Sequence, residues 1–351
     1  MLRSALRDLQ WRRRRFAIAT LGTALIFALT LVLSGLSNGF STEATRTVAQ
    51  LHVDGWVVGH GASGPFLGAV PLAASSAEQV AAIPGVTRAG PTVFSVAVIN
   101  VRGATRNVNV VGAGPVGPGL PATSSGHPPA AAGQIAISSK LPGYRLGAQL
   151  VLAGHPFTVV GKVSSSTALA GVSNVFLTVA DAQRVAFDGN PVATAIAYDG
   201  VLQGPLPAGL LAISNSGARA DLMRPMKQAH SAIAFLSTLL WLVAAMIVGS
   251  LTYLSALERQ RDFAVFKATG VSTPAILAGL ALQAVVISVV AAVIGALIAS
   301  GLGPAFPMQV SITRDAMLFL PVIAVVVGLV ASVSGLRRVA AVDPALAFGG
   351  A

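Results

Sequence analysis

The chain has 351 residues, 54% of them hydrophobic and only 10% charged. A soluble domain carries about 25% charged residues, so an ordinary soluble protein is excluded and an integral membrane protein is expected. There is no cysteine, which excludes a disulfide framework, a thiolate metal site and a cysteine nucleophile; the net charge of +11 comes from bases gathered at the edges of apolar runs, a topology signal and not a nucleic-acid surface.

In chain order, residues 1–15 (MLRSALRDLQWRRRR) are basic and read as an amphipathic entry helix leading into the first apolar run. A helix needs about 20 mostly apolar residues to cross the hydrocarbon core. Phe16–Phe40 meets that length, as do Ser231–Leu257, Ala275–Gly301 and Ala316–Leu336, and none of them contains Asp, Glu, Lys, Arg or His. The first run exceeds the roughly 7–15 residues of a signal-peptide core and no clean Ala-x-Ala site follows it, so it reads as an uncleaved span. Arg3, Arg7 and Arg12 to Arg15 place the N-terminus in the cytoplasm by the positive-inside rule. Alternation then puts 41–230 outside, 258–274 inside, 302–315 outside, and the tail 337–351, which opens with Arg337-Arg338, inside.

Residues 41–230 read as a mixed α+β domain inserted between the first and second spans. LHVDGWVVGH (51–60) reads as a strand with His52 and His60 on one face, about 26 Å apart and too far to share a metal. SSAEQVAAI (75–83) reads as a helix capped by Ser75 or Ser76. VTRAGPTVFSVAVINV (86–101) and RNVNVVGA (106–113) read as paired strands with Arg102-Gly103-Ala104 at the turn. The Pro/Gly/Ser-rich stretch 114–133 is expected to be a loop and a boundary between two subdomains. QIAISSKL, AQLVLAGHPFTVVGKV and VFLTV alternate like short strands, with a hairpin at Gly154-His155. DAQRVAF (181–187) reads as a helix with Asp181 near its start, and ATAIAYDG and LLAISN close the region.

Catalytic motifs are missing. GHPFTVVGKV has neither the glycine spacing of a P-loop nor a Ser or Thr after Lys162. No G-x-S-x-G, H-E-x-x-H or close carboxylate pair occurs. A non-catalytic chain with no cofactor and no metal is expected, and ATP chemistry must reside on another chain. The spans also lack the ionisable side chains that ion-coupled transport uses. They carry small residues at four-residue spacing instead. Ala291, Gly295, Ala299 and Gly303 form one row, and Ala284, Ser288, Ala292, Ala296 and Ser300 the next. Such rows let helix backbones approach closely, within the bundle or across a dimer.

Between the second and third spans lies ALERQRDFAVFKATGVSTPAIL (256–277). As a helix over 257–270, it places Arg259, Phe263, Phe266 and Gly270 in one narrow sector, with Lys267 at its edge. Arg259 with Asp262, and Glu258 with Arg261, are spaced to pair. Gly270 and Pro274 end the helix. From the residues alone, two readings stay open: an interfacial helix resting its phenylalanines in lipid, or a docking surface for a cytoplasmic protein.

The segment resembles the region between the second and third spans of the MacB/FtsX-like permease family of ABC transporters. The pattern there is roughly E-R-x-R-E-I-x-x-x-[RK]-A-x-G-A. Glu258, Arg259, Arg261, Asp262, Phe263, Lys267, Ala268 and Gly270 stand at the matching places, with Asp for Glu and Phe for Ile. LRDLQWRRRRFAIATLG, AIPGVTRAGPTVF, GAQLVLAGHPFTVVGKV, VFLTVADAQRV and RRVAAVDPALAF are similar to further parts of the family, in order along the chain. Two departures stand out: Leu346 where the family's tail has an acid, and Gln283 where many members carry Glu.

The resemblance implies four transmembrane helices plus a large α+β extracytoplasmic domain, in a multi-pass protein of the bacterial plasma membrane. It implies a separate ATPase subunit carrying ATP and Mg²⁺, and a second permease copy, identical or a paralogue, in a shell of membrane lipid. Glu258, Arg259, Arg261, Asp262, Phe263, Phe266, Lys267 and Gly270 would dock the ATPase, with the two phenylalanines entering a groove on it. Ala291, Gly295 and Ala299 would pack helices. The implied function is ATP-driven movement of the outer domain for export or extraction of a substrate. The alternative is a transducer that activates an extracytoplasmic partner, such as a cell-wall hydrolase, without transport.

Overall fold

The computed structural model describes residues 13–101, 103–114, 118–302 and 310–340. The expectations for residues 1–12, Arg102, Gly303 and 341–351 lie outside the described residues. The chain divides into two compact units, residues 40–227 and residues 1–39 with 228–351.

Helix α1 (Arg13–Gln50) is unbroken over 38 residues, about 57 Å at 1.5 Å per residue. It outruns the apolar stretch by ten residues, STEATRTVAQ. The reason lies in Ala44, Val48 and Leu51, which recur at helical spacing and are all buried. This extension shortens the strand expected over 51–60. His52 has φ 49 beyond the helix end, and strand β1 is only Gly55–Gly59. Neither His52 nor His60 lies in it, so the strand-based spacing of the two does not apply.

The 40–227 unit continues with β2 (Leu72–Ala73), α2 (Ser76–Ala81), β3 (Val86–Val101), β4 (Ala104–Ala113) and β5 (Ser125–Gly126). Next come β6 (Gln134–Ser138), β7 (Gln149–Leu152), β8 (His155–Val163), β9 (Thr167–Ala168) and β10 (Val172–Thr178). It closes with α3 (Val179–Phe187), β11 (Val192–Ala193), β12 (Ala195–Gly200), β13 (Leu210–Ser214) and α4 (Asn215–Leu222). One mixed sheet runs β13-β1-β12-β3-β4-β10-β6-β8-β5, with β7 on β8 and β9 on β10. The pairs β4–β10 and β6–β8 are parallel.

The 114–133 stretch contributes β5 to the sheet edge, and β3 changes its pairing partner part-way along. That strand pairs with β12 as far as Thr92 and with β4 from Val93 onward. Sixteen residues make β3 long enough to serve both halves. Alternation then assigns the faces. Trp56, Phe94, Val111, Ala136 and Phe176 share one face with Ala44 and Val48 of α1, with Leu51 just beyond it, and with Ala218 and Leu222 of α4. The opposite face carries two cores. Val57 and Ile196 pack with Ala77 and Val80 of α2, while Val93, Val110, Ile137, Val159 and Leu177 pack with Ala182 of α3.

Local details adjust the sequence reading. Ser75 precedes α2 but makes no side-chain capping bond, because its own backbone is already helical at φ −63, ψ −18. Thr178 caps α3 instead, accepting from Asp181 N. The β7–β8 hairpin turns at Ala153-Gly154, with φ 48 and 82, one residue earlier than expected.

The other unit contains the first part of α1, then α5 (Met226–Glu258), α6 (Gln260–Ala268), α7 (Thr273–Leu302) and α8 (Arg314–Ala340). The helices α1, α5, α7 and α8 are each long and apolar enough to cross a membrane. Their shared core is made of Phe27, Ala28 and Leu31 of α1, Ala244 of α5, Ala291 and Ala299 of α7, and Ala324 and Val327 of α8. Near one end of this core, His230 Nδ1 lies 2.5 Å from Ser37 Oγ.

Candidate functional site

The segment between α5 and α7 is a separate short helix. α5 stops at Glu258, Arg259 leaves helical geometry at φ −111, and α6 begins at Gln260. Its C-terminus is closed by a Schellman motif: Gly270 N donates to Lys267 O at 3.1 Å and Val271 N to Phe266 O at 2.9 Å. Gly270 adopts φ +87, where a side chain would be strained. Phe266 and Val271, the pair that usually completes this motif, both pack against the same small core.

That core sets which side of the helix is covered. Phe263 is only 3% exposed and packs with Ala256 of α5 and with Ile276 and Leu280 of α7. Ala264 is fully buried and Phe266 is half-buried. A nine-residue helix does not stand alone in water, so it spends its largest apolar side chain on its own neighbours. Phe263 is thus packed within this chain. The guanidinium of Arg259 stacks 5.5 Å from the Phe263 ring centroid and pairs with Asp262 at 3.5 Å. The face left outward consists of Glu258, Arg261, Asp262, Val265, Ala268, Thr269 and Gly270, with Lys267 half-buried at its margin.

The small-residue row is also placed. Ala291, Gly295 and Ala299 are buried inside this chain's own bundle. A Cβ at Gly295 would lie 2.7 Å from Ala24 O and 2.9 Å from Phe27 Cβ, so α1 and α7 touch backbone to backbone there. Gln283, where a Glu was expected from the resemblance, is 2% exposed, and its Nε2 has no partner among the described residues.

Two features escaped the sequence reading. The exposed face of α6 depends on which side α7 covers, and no local pattern carries that. The continuation of α1 was marked, however: Glu43, Thr47 and Gln50 repeat at four and three residues beside Ala44, Val48 and Leu51. Among the described residues, no group of three or more His, Cys, Asp or Glu is arranged to hold a metal ion.

Comparison with known proteins places this geometry. Residues 234–344, covering α6, α7, α8 and most of α5, match the family model described as FtsX-like permease C-terminal. The chain is 51% identical over 350 residues to Uncharacterized ABC transporter permease Rv2563 of Mycobacterium tuberculosis (strain ATCC 25618 / H37Rv), covering 100% of both chains. It is 50% identical over 351 residues to Uncharacterized ABC transporter permease Rv0072 of the same strain, again covering 100% of both. Among solved structures, the periplasmic region of MacB from Actinobacillus actinomycetemcomitans is similar at TM-score 0.32 and 11% identity, over 42% of this chain and 81% of that one. The extracellular domain of the transporter YknZ from Gram-positive bacteria is similar at TM-score 0.31 and 12% identity, over 46% of this chain and 85% of that one. The two structural similarities are slight, and the weight falls on the full-length relatives and on the domain that spans the last three membrane helices. This chain belongs to the FtsX-like family of ABC transporter permeases.

Proposed function

We propose that this chain is the membrane subunit of an ABC transporter in which a separate cytoplasmic ATPase, holding ATP and Mg²⁺, drives movement of the 40–227 unit for export or extraction of a substrate. The observation that carries this reading is α6. Its inner face is fixed to α7 by Phe263, so its outer face can take load without unfolding. That outer face carries charge of both signs around an exposed valine. Arg261, Asp262 and Val265 are proposed to meet the ATPase, with Glu258 and Gly270 at the ends. Arg259, Phe263, Phe266 and Lys267 are proposed to hold the helix in position for that contact.

In this reading the 258–274 segment and both termini face the cytoplasm, and the 40–227 unit lies outside the bacterial plasma membrane. A second permease copy pairs along α5. Support comes from Phe235, Leu239, Leu242 and Met246, exposed at 65%, 42%, 54% and 62%. Their four-three-four spacing makes one apolar stripe, the pattern of a helix–helix seam. Lipid covers the remaining apolar faces.

The docking face is tested by Arg261→Glu combined with Val265→Asp in the full chain. A lost interface hot spot is worth about 2 kcal/mol, a factor of about 30 in affinity. Co-purified ATPase and stimulated hydrolysis are expected to fall by that order. Retention of both at wild-type level overturns the docking face.

A further inference from the structure

Helix α1 holds one loop of the 40–227 unit at three successive turns. Glu43 is buried, and its two carboxylate oxygens accept from Gly171 N at 2.9 Å and Ala170 N at 3.0 Å. One turn on, Thr47 Oγ1 donates to the Thr167 carbonyl at 2.7 Å. At the next turn, Gln50 Nε2 donates to the Ser164 carbonyl at 3.1 Å. Spacings of four and three put the three side chains on one helix face.

The loop they hold, Ser164–Gly171, is strained. Ser165, Leu169 and Ala170 have φ of 45, 52 and 69, a region that side chains other than hydrogen rarely adopt, and Gly171 follows at 86. Adjacent backbone N–H groups in such a run converge on one point, an anion-binding arrangement that the Glu43 carboxylate fills. The sheet holds the same loop from within. Asn109 Nδ2 donates to the carbonyls of Ala168 at 3.4 Å and Val172 at 3.2 Å, and to Asn174 Oδ1 at 2.9 Å. Asn174 Nδ2 donates in turn to Ser166 Oγ at 3.0 Å. Asn109 lies in β4 and Asn174 in β10, paired directly across the parallel ladder at the middle of the sheet.

We propose that Glu43, Thr47 and Gln50 are the grip through which a displacement of α1 is delivered to the sheet, with Ser164–Gly171 as the strained link to β4 and β10. These are positioning residues. Apolar packing alone lets a helix slide or turn on a sheet; three directional bonds to one loop fix its rotation and its register. The proposal rests on the transport reading above, which supplies the displacement.

The test uses the full chain with its co-purified ATPase in nanodiscs, with and without Mg-ATP and vanadate. Hydrogen exchange is followed over residues 164–174. Because the chain has no cysteine, Val96→Cys and Leu211→Cys give two clean label sites within the 40–227 unit for a distance measurement. Glu43→Ala is expected to speed exchange at Ala170 and Gly171 by about tenfold or more. It is also expected to abolish the nucleotide-driven change in label distance while bound ATPase and basal hydrolysis persist. Glu43→Gln, which keeps one acceptor oxygen, should fall between. If Glu43→Ala does not accumulate, Thr47→Val is expected to move both readouts the same way. Unchanged exchange, or an opened loop with the wild-type distance change, overturns the grip and leaves the transport reading standing. A wild-type complex whose label distance never responds to nucleotide overturns the grip, and a full chain that retains no ATPase on purification overturns the transport reading.

Discussion

Four acids of a chain that has few accept from backbone N–H groups. Glu43 holds the loop described above. Asp54 Oδ2 accepts from Gly200 N at 2.7 Å. Asp181, fully buried, accepts from Gly133 N at 2.9 Å and pairs with Arg184. Asp221, 1% exposed, accepts from the consecutive N–H groups of Phe66, Leu67 and Gly68 at 2.9, 3.0 and 2.9 Å. That carboxylate sets the loop that presents Phe66 edge-on to Trp56 and Phe94, with centroids 5.3 and 5.1 Å away. Burial, and after it the charge of Asp54, raises the Tyr198 phenol above its ordinary range. Each N–H stranded in the interior costs about 1–3 kcal/mol. Asp221→Ala is therefore expected to destabilise the 40–227 unit by about 3 kcal/mol or more, read as a lower unfolding midpoint of the full chain by tryptophan fluorescence. An unchanged midpoint would show that the loop does not need the carboxylate. None of this was legible in the sequence. Asp221 bonds a loop over 150 residues away, and no local spacing encodes such a pairing.

At the scale of elements, periodicity carried much of the fold. The β3–β4 hairpin is plain in VTRAGPTVFSVAVINV and RNVNVVGA, whose alternation matches their antiparallel register. The apolar runs became long helices because no charge interrupts them. What periodicity could not convey was continuation and partner choice. α1 runs on because a sheet face receives Ala44, Val48 and Leu51. β3 changes partner at Thr92/Val93, which no composition shift marks. The wheel grouped Phe263 with Phe266 correctly but could not say that α7 would cover Phe263. The small-residue row of α7 was visible, and its partner was not. Gly295→Val places atoms where α1 already lies, and overpacking of this kind costs about 1–3 kcal/mol. The expected outcome is a lower melting temperature in detergent for Gly295→Val, with Gly279→Val, where nothing lies within 4 Å, close to wild type. Equal behaviour of the two variants would contradict the close approach of α1 and α7.

For the whole molecule, the division of labour follows from what each unit lacks. The unit of residues 1–39 and 228–351 has apolar helices whose buried polar groups, such as Gln283, carry no formal charge. The 40–227 unit has a sheet, three cores and no catalytic motif. The sequence contains no P-loop, and α6 is a short helix set between two spans with a charged face turned outward. Membership in the FtsX-like permeases agrees with that arrangement. The central claim is that this chain works only with a separate ATPase. It is tested most directly by purifying the tagged full chain from its own cells in mild detergent, counting subunits by native mass spectrometry and assaying hydrolysis. The account predicts an ABC ATPase at one copy per permease, two permeases per particle, and ATP hydrolysis in the purified complex. A stable permease particle that contains no ATPase and hydrolyses no ATP would contradict it.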